Sequence, residues 1–267
     1  MPKAPSVISR VVAILGAFSE RKSLITIEEI SAMLDISTAS AYRYMSDLTQ
    51  AGLLSRTSGS YRLGPKIIEL EYLFQSYDPI LQAGRDLMEG LAGFTGCNVL
   101  LCNVYDQALV NVMHVTGKHP IDVAYKKGQR MPIFRGAQAH ILLAYMDIRK
   151  LKRLYESAIE DPAVAPDALA IGEDWRAFLK QIRQIRSRGY YVSEDQLQPG
   201  VTGIAAPVFG EKQEILSSLV LILRNDNPPS MSQSTLIELV AQGAKQISKR
   251  IEELSAGVAC AAEPEGS

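Results

Sequence analysis

Three residues, Asp35-Ile36-Ser37, are all that separate one helical pattern from the next, and this short connection constrains the fold more than any other feature. Before it, Thr26 stands three residues ahead of Glu29, the spacing of a capping box, and opens a helix through Leu34. After it, Ser37 can cap a helix to about Gln50. Upstream, Val7, Val11, Ile14, Leu15 and Phe18 recur at helical spacing and predict a first helix. Downstream, LLSRT and SYRLG flank Ser58-Gly59, a hairpin signal. Gly52 suits the left-handed residue that closes the third helix, and Pro65 suits the first turn of another helix, to about Gln75. Three helices, a tight turn and a hairpin make a winged helix-turn-helix. In that fold the third helix enters the major groove of DNA and the hairpin lies on its backbone.

The third helix looks poorly charged for that task. Its only base is Arg43, and it also carries Asp47. Ala41, Tyr44, Met45 and Leu48 share a face that packs inward; Ala39, Tyr42, Arg43 and Ser46 share the free one. A net charge of −1 for the whole chain excludes a protein coated all over with nucleic acid. Between Ile36 and Lys66, however, Arg43, Arg56, Arg62 and Lys66 face only Asp47, a local charge of +3. Few side chains read sequence, while phosphate contacts from several elements supply affinity. The DNA-contacting candidates are therefore Ser37, Thr38, Ala39, Ser40, Tyr42 and Arg43 on the helix, with Arg56, Ser58 and Ser60 on the wing. Arg43 suits a bidentate guanine contact or a phosphate clamp. The competing reading of the same unit is a protein-interaction module.

Apolar residues make up 47% of the 267, enough for a proper core. Three cysteines, Cys97, Cys102 and Cys260, are an odd set without tight pairing, as expected for reduced thiols in a cytoplasm. No stretch approaches the roughly 18 unbroken apolar residues of a membrane helix, and MPKAPSVISR lacks the apolar run of a secretion signal. After a break at Ser76-Pro79, a helix is expected over Ile80–Phe94. NVLLCNVY and ALVNVMHV read as strands joined near Asp106-Gln107, and IDVAYK as a third. Helices over RGAQAHILLAYM, IRKLKRLYES and Glu173–Arg188 precede strands YYVSED, TGIAAPVF and EILSSLVLIL, and a last helix spans Gln233–Leu254. The expected fold class is α+β in two domains, the second built on a mostly antiparallel sheet with helices on its faces. The divisions are 1–64 for the winged domain, 65–78 for a linker helix and hinge, 79–255 for the second domain and 256–267 for a disordered tail.

Four pieces in order, RVVAILGAFS, ITIEEISAMLDISTASAYRYMSDLTQAGLL, YRLGPKIIEL and RGYYVSEDQLQPGVTGIAAPVF, resemble the IclR family of bacterial transcriptional regulators. The resemblance implies a GAF-like effector-binding domain and a homodimer, often paired into a tetramer, on a near-palindromic operator in double-stranded DNA. It implies a small organic acid as effector, and neither a cofactor nor a resident metal. Where relatives commonly carry Lys-Ser-Thr-Val-Tyr-Arg, this chain has Thr38-Ala39-Ser40-Ala41-Tyr42-Arg43. The lost charge at Thr38 implies weaker or more salt-tolerant DNA binding. The effector positions carried over are Gly136, Ala137, Ser193, Gly203, Val220 and Ile222. Gly136 and Ala137 would offer free helix N–H groups to a carboxylate. Where relatives can have a cysteine and two serines, this chain has Gly203, Val220 and Ile222. Either the pocket takes an aromatic or medium-chain carboxylate, or these residues simply pack core.

Other groups carry less. Cys102 and His114, with Glu194 and Asp195, would make a metal site only if the sheet gathered them, and no ligand-like spacing supports it. His140 either lines the effector pocket or packs. Cys97 is a redox sensor only if exposed, and the bases of Arg149–Arg153 read as a solvated face. No nucleophile and base pair, and no GxSxG elbow, points to catalysis. An enzyme with a fused helix-turn-helix and a non-DNA adaptor are the alternatives to a ligand-responsive regulator.

Overall fold

The computed structural model describes residues 6–105 and 108–261, with side chains through residue 256. Chain contacts divide it into two units that meet at Asp78 and Pro79. In the first, α1 (Val7–Gly16), α2 (Ile27–Leu34) and α3 (Thr38–Gln50) precede β1 (Leu54–Thr57), β2 (Ser60–Leu63) and α4 (Pro65–Tyr77). Each boundary has a local cause. The capping box forms, with Glu29 N–H donating to Thr26 Oγ1 and Thr26 N–H donating to Glu29 Oε2 at 2.9 Å. Asp35 adopts φ +50° to turn the chain, and Ser31 Oγ donates to the Ile36 carbonyl at 2.6 Å to hold that turn. Gly52 closes α3 in a left-handed cap, where Leu53 N–H returns to the Leu48 carbonyl at 2.9 Å.

Ser58 and Gly59 both take positive φ, the turn that matches strand twist in a two-residue hairpin. Ile25 then bridges Tyr61 through two backbone bonds of 2.8 and 2.9 Å, fastening the hairpin to the helices. Ile14, Ile30, Ala41, Met45 and Leu54 fill the core beneath.

The second unit contains α5 (Pro79–Thr95), β3 (Asn98–Tyr105), β4 (Ala108–Val115), β5 (Arg130–Met131), α6 (Gly136–Tyr145), α7 (Ile148–Glu160), α8 (Ala165–Ile171) and α9 (Trp175–Arg188). These are followed by β6 (Tyr191–Glu194), β7 (Val201–Phe209), β8 (Ile215–Arg224) and α10 (Gln233–Ala261). The sheet runs β5-β4-β3-β8-β7-β6, and every neighbouring pair is antiparallel. Alternation splits it into two faces. Val99, Leu101, Leu219 and Leu221 pack with Met88 of α5 and Val240 and Ile247 of α10. Leu100, Ala205 and Val220 pack with Ile141 of α6 and Phe178 of α9.

Three expectations need correction or limits. IDVAYK is not a strand; the second unit's short third strand is β5 instead. The IDVAYK backbone is met by side-chain amides: Asn98 Nδ2 donates to the Ile121 carbonyl and Asn111 Nδ2 to that of Tyr125, at 3.0 and 2.8 Å. The last helix reaches Ala261, past the expected Leu254, and residues 262–267 lie outside the described residues. The expected Asp106-Gln107 turn also lies outside them.

Candidate functional site

The first candidate surface lies on the winged unit. Ala41, Tyr44, Met45 and Leu48 are buried, so packing fixes the rotation of α3. That rotation leaves Thr38, Ala39, Tyr42 and Arg43 exposed, with Tyr42 51% open to solvent. Among the described residues no hydrogen bond or ion pair holds Arg43, Arg56 or Arg62, all exposed. Cross-strand pairing sets Arg56 opposite Tyr61 and Arg62 opposite Ser55 on the wing, with Ser58 exposed and Ser60 half-buried. Ser37 has another duty. Its Oγ donates to Ser40 Oγ and accepts the Ser40 N–H, so both hydroxyls serve the cap first. Lys66 pairs with Glu69 at 2.7 Å, which removes one base from the local charge counted above.

The second candidate is a recess between the sheet and α6, about 470 Å³ of space between atoms with its open mouth included. Ala137, Ser193, Gly203, Val220 and Ile222 all line it, with Leu100, Met131 and Leu197 completing a mostly apolar wall. Strand register explains the convergence: Ser193 pairs with Gly203, and Gly203 with Ile222. A side-chain carbon at Gly203 would lie 3.1 Å from Ser193 Oγ and 3.4 Å from Ala137 Cβ, so glycine there keeps space open.

Gly136 does not line the recess. Its N–H donates to Gln196 Oε1 at 3.0 Å, and the Ala137 N–H to Ser193 Oγ at 3.1 Å. The helix N–H groups expected to be free are thus capped from β6 and the loop after it, because Arg135 at the N-cap makes no side-chain cap bond. The polar residues that sequence reasoning missed are Asn111, Gln138 and Gln198. Asn111 Oδ1 accepts from Gln138 Nε2 at 3.0 Å. A polar residue inside the apolar strand ALVNVMHV was the available signal. Among the described residues no Lys, Arg, His, Asp or Glu lines this recess, so an occupant meets neutral polar groups and apolar surface.

His140 packs rather than lining this recess. It stacks on Tyr191 with ring centroids 4.2 Å apart, and its Nδ1 lies 2.9 Å from the Gly136 carbonyl. Burial pushes its pKa down, against that carbonyl's opposing pull. Cys102 sits opposite Asn111 and His114 opposite Leu100. Glu194 is on β6, the sheet's far edge, with β7 and β8 between it and β3. The four residues weighed as a metal site are therefore not gathered. Among the described residues no group of three or more His, Cys, Asp or Glu side chains is placed to hold a metal. Burial raises the Cys102 thiol to about 12 and also raises that of Cys97, the reverse of what a redox sensor needs.

A DNA-reading head and a sheet domain with a small-molecule recess, carried on one chain, define a class of one-component transcription factors. The chain belongs to the IclR family of bacterial transcriptional regulators: residues 7–58 match the IclR helix-turn-helix domain and residues 75–249 the bacterial transcriptional regulator IclR C-terminal domain. It is 26% identical to the Pca regulon regulatory protein of Pseudomonas putida over 79% of this chain and 72% of that one. It is 25% identical to the transcriptional regulator XynR of Escherichia coli over 80% and 84%. The fold is shared with an IclR regulator from Alicyclobacillus acidocaldarius, TM-score 0.77, 19% identity, covering 91% of this chain and 98% of that one. It is also shared with an IclR homologue from Microbacterium hydrocarbonoxydans solved with 4-hydroxybenzoate, TM-score 0.75, 17% identity, covering 93% and 100%. Like its family, the chain is a DNA-binding regulator of transcription and not an enzyme. Among the described residues no helix is long and apolar enough to cross a membrane.

Proposed function

We propose that this protein controls a catabolic operon as a homodimer on a near-palindromic operator, in response to an organic acid with an aromatic or medium-chain body. The observation that carries the DNA reading is the unpaired, exposed Arg43 on a helix whose opposite face is locked in a core. Thr38, Ala39, Ser40 and Tyr42 would surround it in the groove, and Arg56, Ser58 and Ser60 would hold the backbone.

The apolar wall of Leu100, Val220 and Ile222 supports an apolar effector body. The 4-hydroxybenzoate bound by a relative of the same fold is a molecule of that kind. Ser193, Asn111 and Gln138 would orient the ligand's polar end. An effector that binds one dimer arrangement better shifts the population of the DNA-competent form.

The dimer reading rests on α1 and α4. Helix α4 buries no residue, and Ile68, Tyr72 and Tyr77 are 71%, 65% and 68% exposed; Val7, Ile8 and Val12 of α1 are exposed too. A helix this apolar needs cover, and two-fold pairing of like chains supplies it.

Fluorescence anisotropy on the upstream intergenic DNA tests the reading, across salt and a panel of organic acids. Arg43→Ala is expected to weaken binding by about 1–3 kcal/mol, roughly five- to 150-fold. If a genome-wide selection of bound fragments recovers nothing for the wild type, the DNA reading is wrong. A response confined to two- and three-carbon acids would overturn the apolar effector.

A further inference from the structure

A second recess, about 970 Å³ with its open mouth included, lies among α6, α8, α9 and the loop after β6. Its character is the opposite of the first. Arg135 and Arg188 face it, against one carboxylate, Asp167. Arg135 Nε lies 3.8 Å from Asp167 Oδ1, too far for a direct hydrogen bond. Arg188 is exposed and makes no hydrogen bond or ion pair among the described residues. Tyr191 Oη accepts from Gln196 Nε2 at 3.2 Å and keeps its own proton to donate. A concave surface with two guanidiniums, one acid that pairs loosely with Arg135 at 3.8 Å and a hydroxyl donor favours an oxyanion.

Gln196 lines the second recess, beside the residues that line the first. Its side chain accepts from Gly136 N–H and donates to Tyr191, and its carbonyl accepts from both Nε and Nη2 of Arg135. The next two residues, Leu197 and Gln198, line the first recess. We propose that the polar recess is a second ligand site, for a small carboxylate or phosphate anion, coupled to the apolar recess through Gln196. An anion that draws Arg135 away from the Gln196 carbonyl loosens the loop that walls the first site. Whatever binds first then alters the affinity for the other, reciprocally. The proposal concerns a different site from the effector recess and does not depend on DNA binding.

The test is calorimetric titration of the full chain with malate and, separately, inorganic phosphate, each against potassium chloride of equal ionic strength. Three proteins are compared: wild type, Arg188→Gln and Gly203→Val, the last filling the first recess. At least one anion is expected to bind the wild type, with affinity falling about tenfold or more in Arg188→Gln and binding retained in Gly203→Val. The two anions separate a carboxylate site from a phosphate site. Should Gly203→Val fail to fold, Val220→Met fills the same space.

No heat above the chloride control at about 10 mM of either anion overturns the site. So does binding that survives Arg188→Gln, whether or not Gly203→Val abolishes it. Coupling is read by hydrogen exchange over residues 195–200. The bound anion is expected to change their protection in the wild type; unchanged protection there refutes the coupling.

Discussion

Gly136 holds φ +84°, and a side-chain carbon on it would fall 2.5 Å from Leu197. Gly136→Ala is expected to cost about 1–3 kcal/mol in urea unfolding, with loss of effector response because Leu197 walls the recess. His140 gives a pH prediction. Its folded pKa is lowered by desolvation, so below its unfolded value near 6.5 the unfolded chain binds the proton and the folded one does not. Stability is therefore complete above about pH 6.5 and falls as pH drops through the window beneath it. Melting temperature followed from about pH 8 to pH 5.5 should decline, and His140→Gln should flatten part of the decline. The remainder is expected from His114, lowered by the same cause. At this scale the sequence was readable wherever a residue's duty is local. Thr26 and Gly52 announce their caps. Asn111, Gln138 and Gln198 did not announce themselves, because their duty comes from residues distant in the chain.

The elements repeat that division. Ser37 caps α3 through the Ser40 N–H, so Ser37→Ala should cost about 1 kcal/mol by chemical denaturation, with a smaller loss of DNA affinity as the first turn frays. A melting curve and operator affinity both unchanged would mean that the turn, held by Ser31 and Asp35, suffices alone. Helices with capping residues and strands with alternation were legible. IDVAYK looked like a strand because its apolar residues alternate, but Asn98 and Asn111 took the backbone carbonyls that a ladder would need. Helix α8 went unread because seven residues opened by Ala165-Pro166 carry too little period.

For the whole molecule, the exposed apolar face of α4 makes the sharpest prediction. Replacing Ile68 and Tyr72 together with glutamate should turn a dimer into a monomer in sedimentation and cost DNA affinity at least about tenfold, since two half-sites are no longer linked. The melting temperature should hardly move, because neither side chain is buried in the single chain. A wild type that sediments as a monomer at all concentrations would refute the dimer.

Taken alone, the sequence determined the winged head: the three-residue turn, the caps and the hairpin are local devices, and local devices are written in adjacent residues. It also determined the alternation that assigns each sheet strand two faces. Only the tertiary structure decided what those faces enclose. Strand order carried Glu194 away from Cys102, so no metal group formed, and it brought Ser193, Gly203 and Ile222 side by side. It decided too that the first two N–H groups of α6 are capped by Gln196 and Ser193, some 60 and 56 residues further along the chain. Register between distant strands arises from the packing of both sheet faces at once, and no stretch of neighbouring residues contains it.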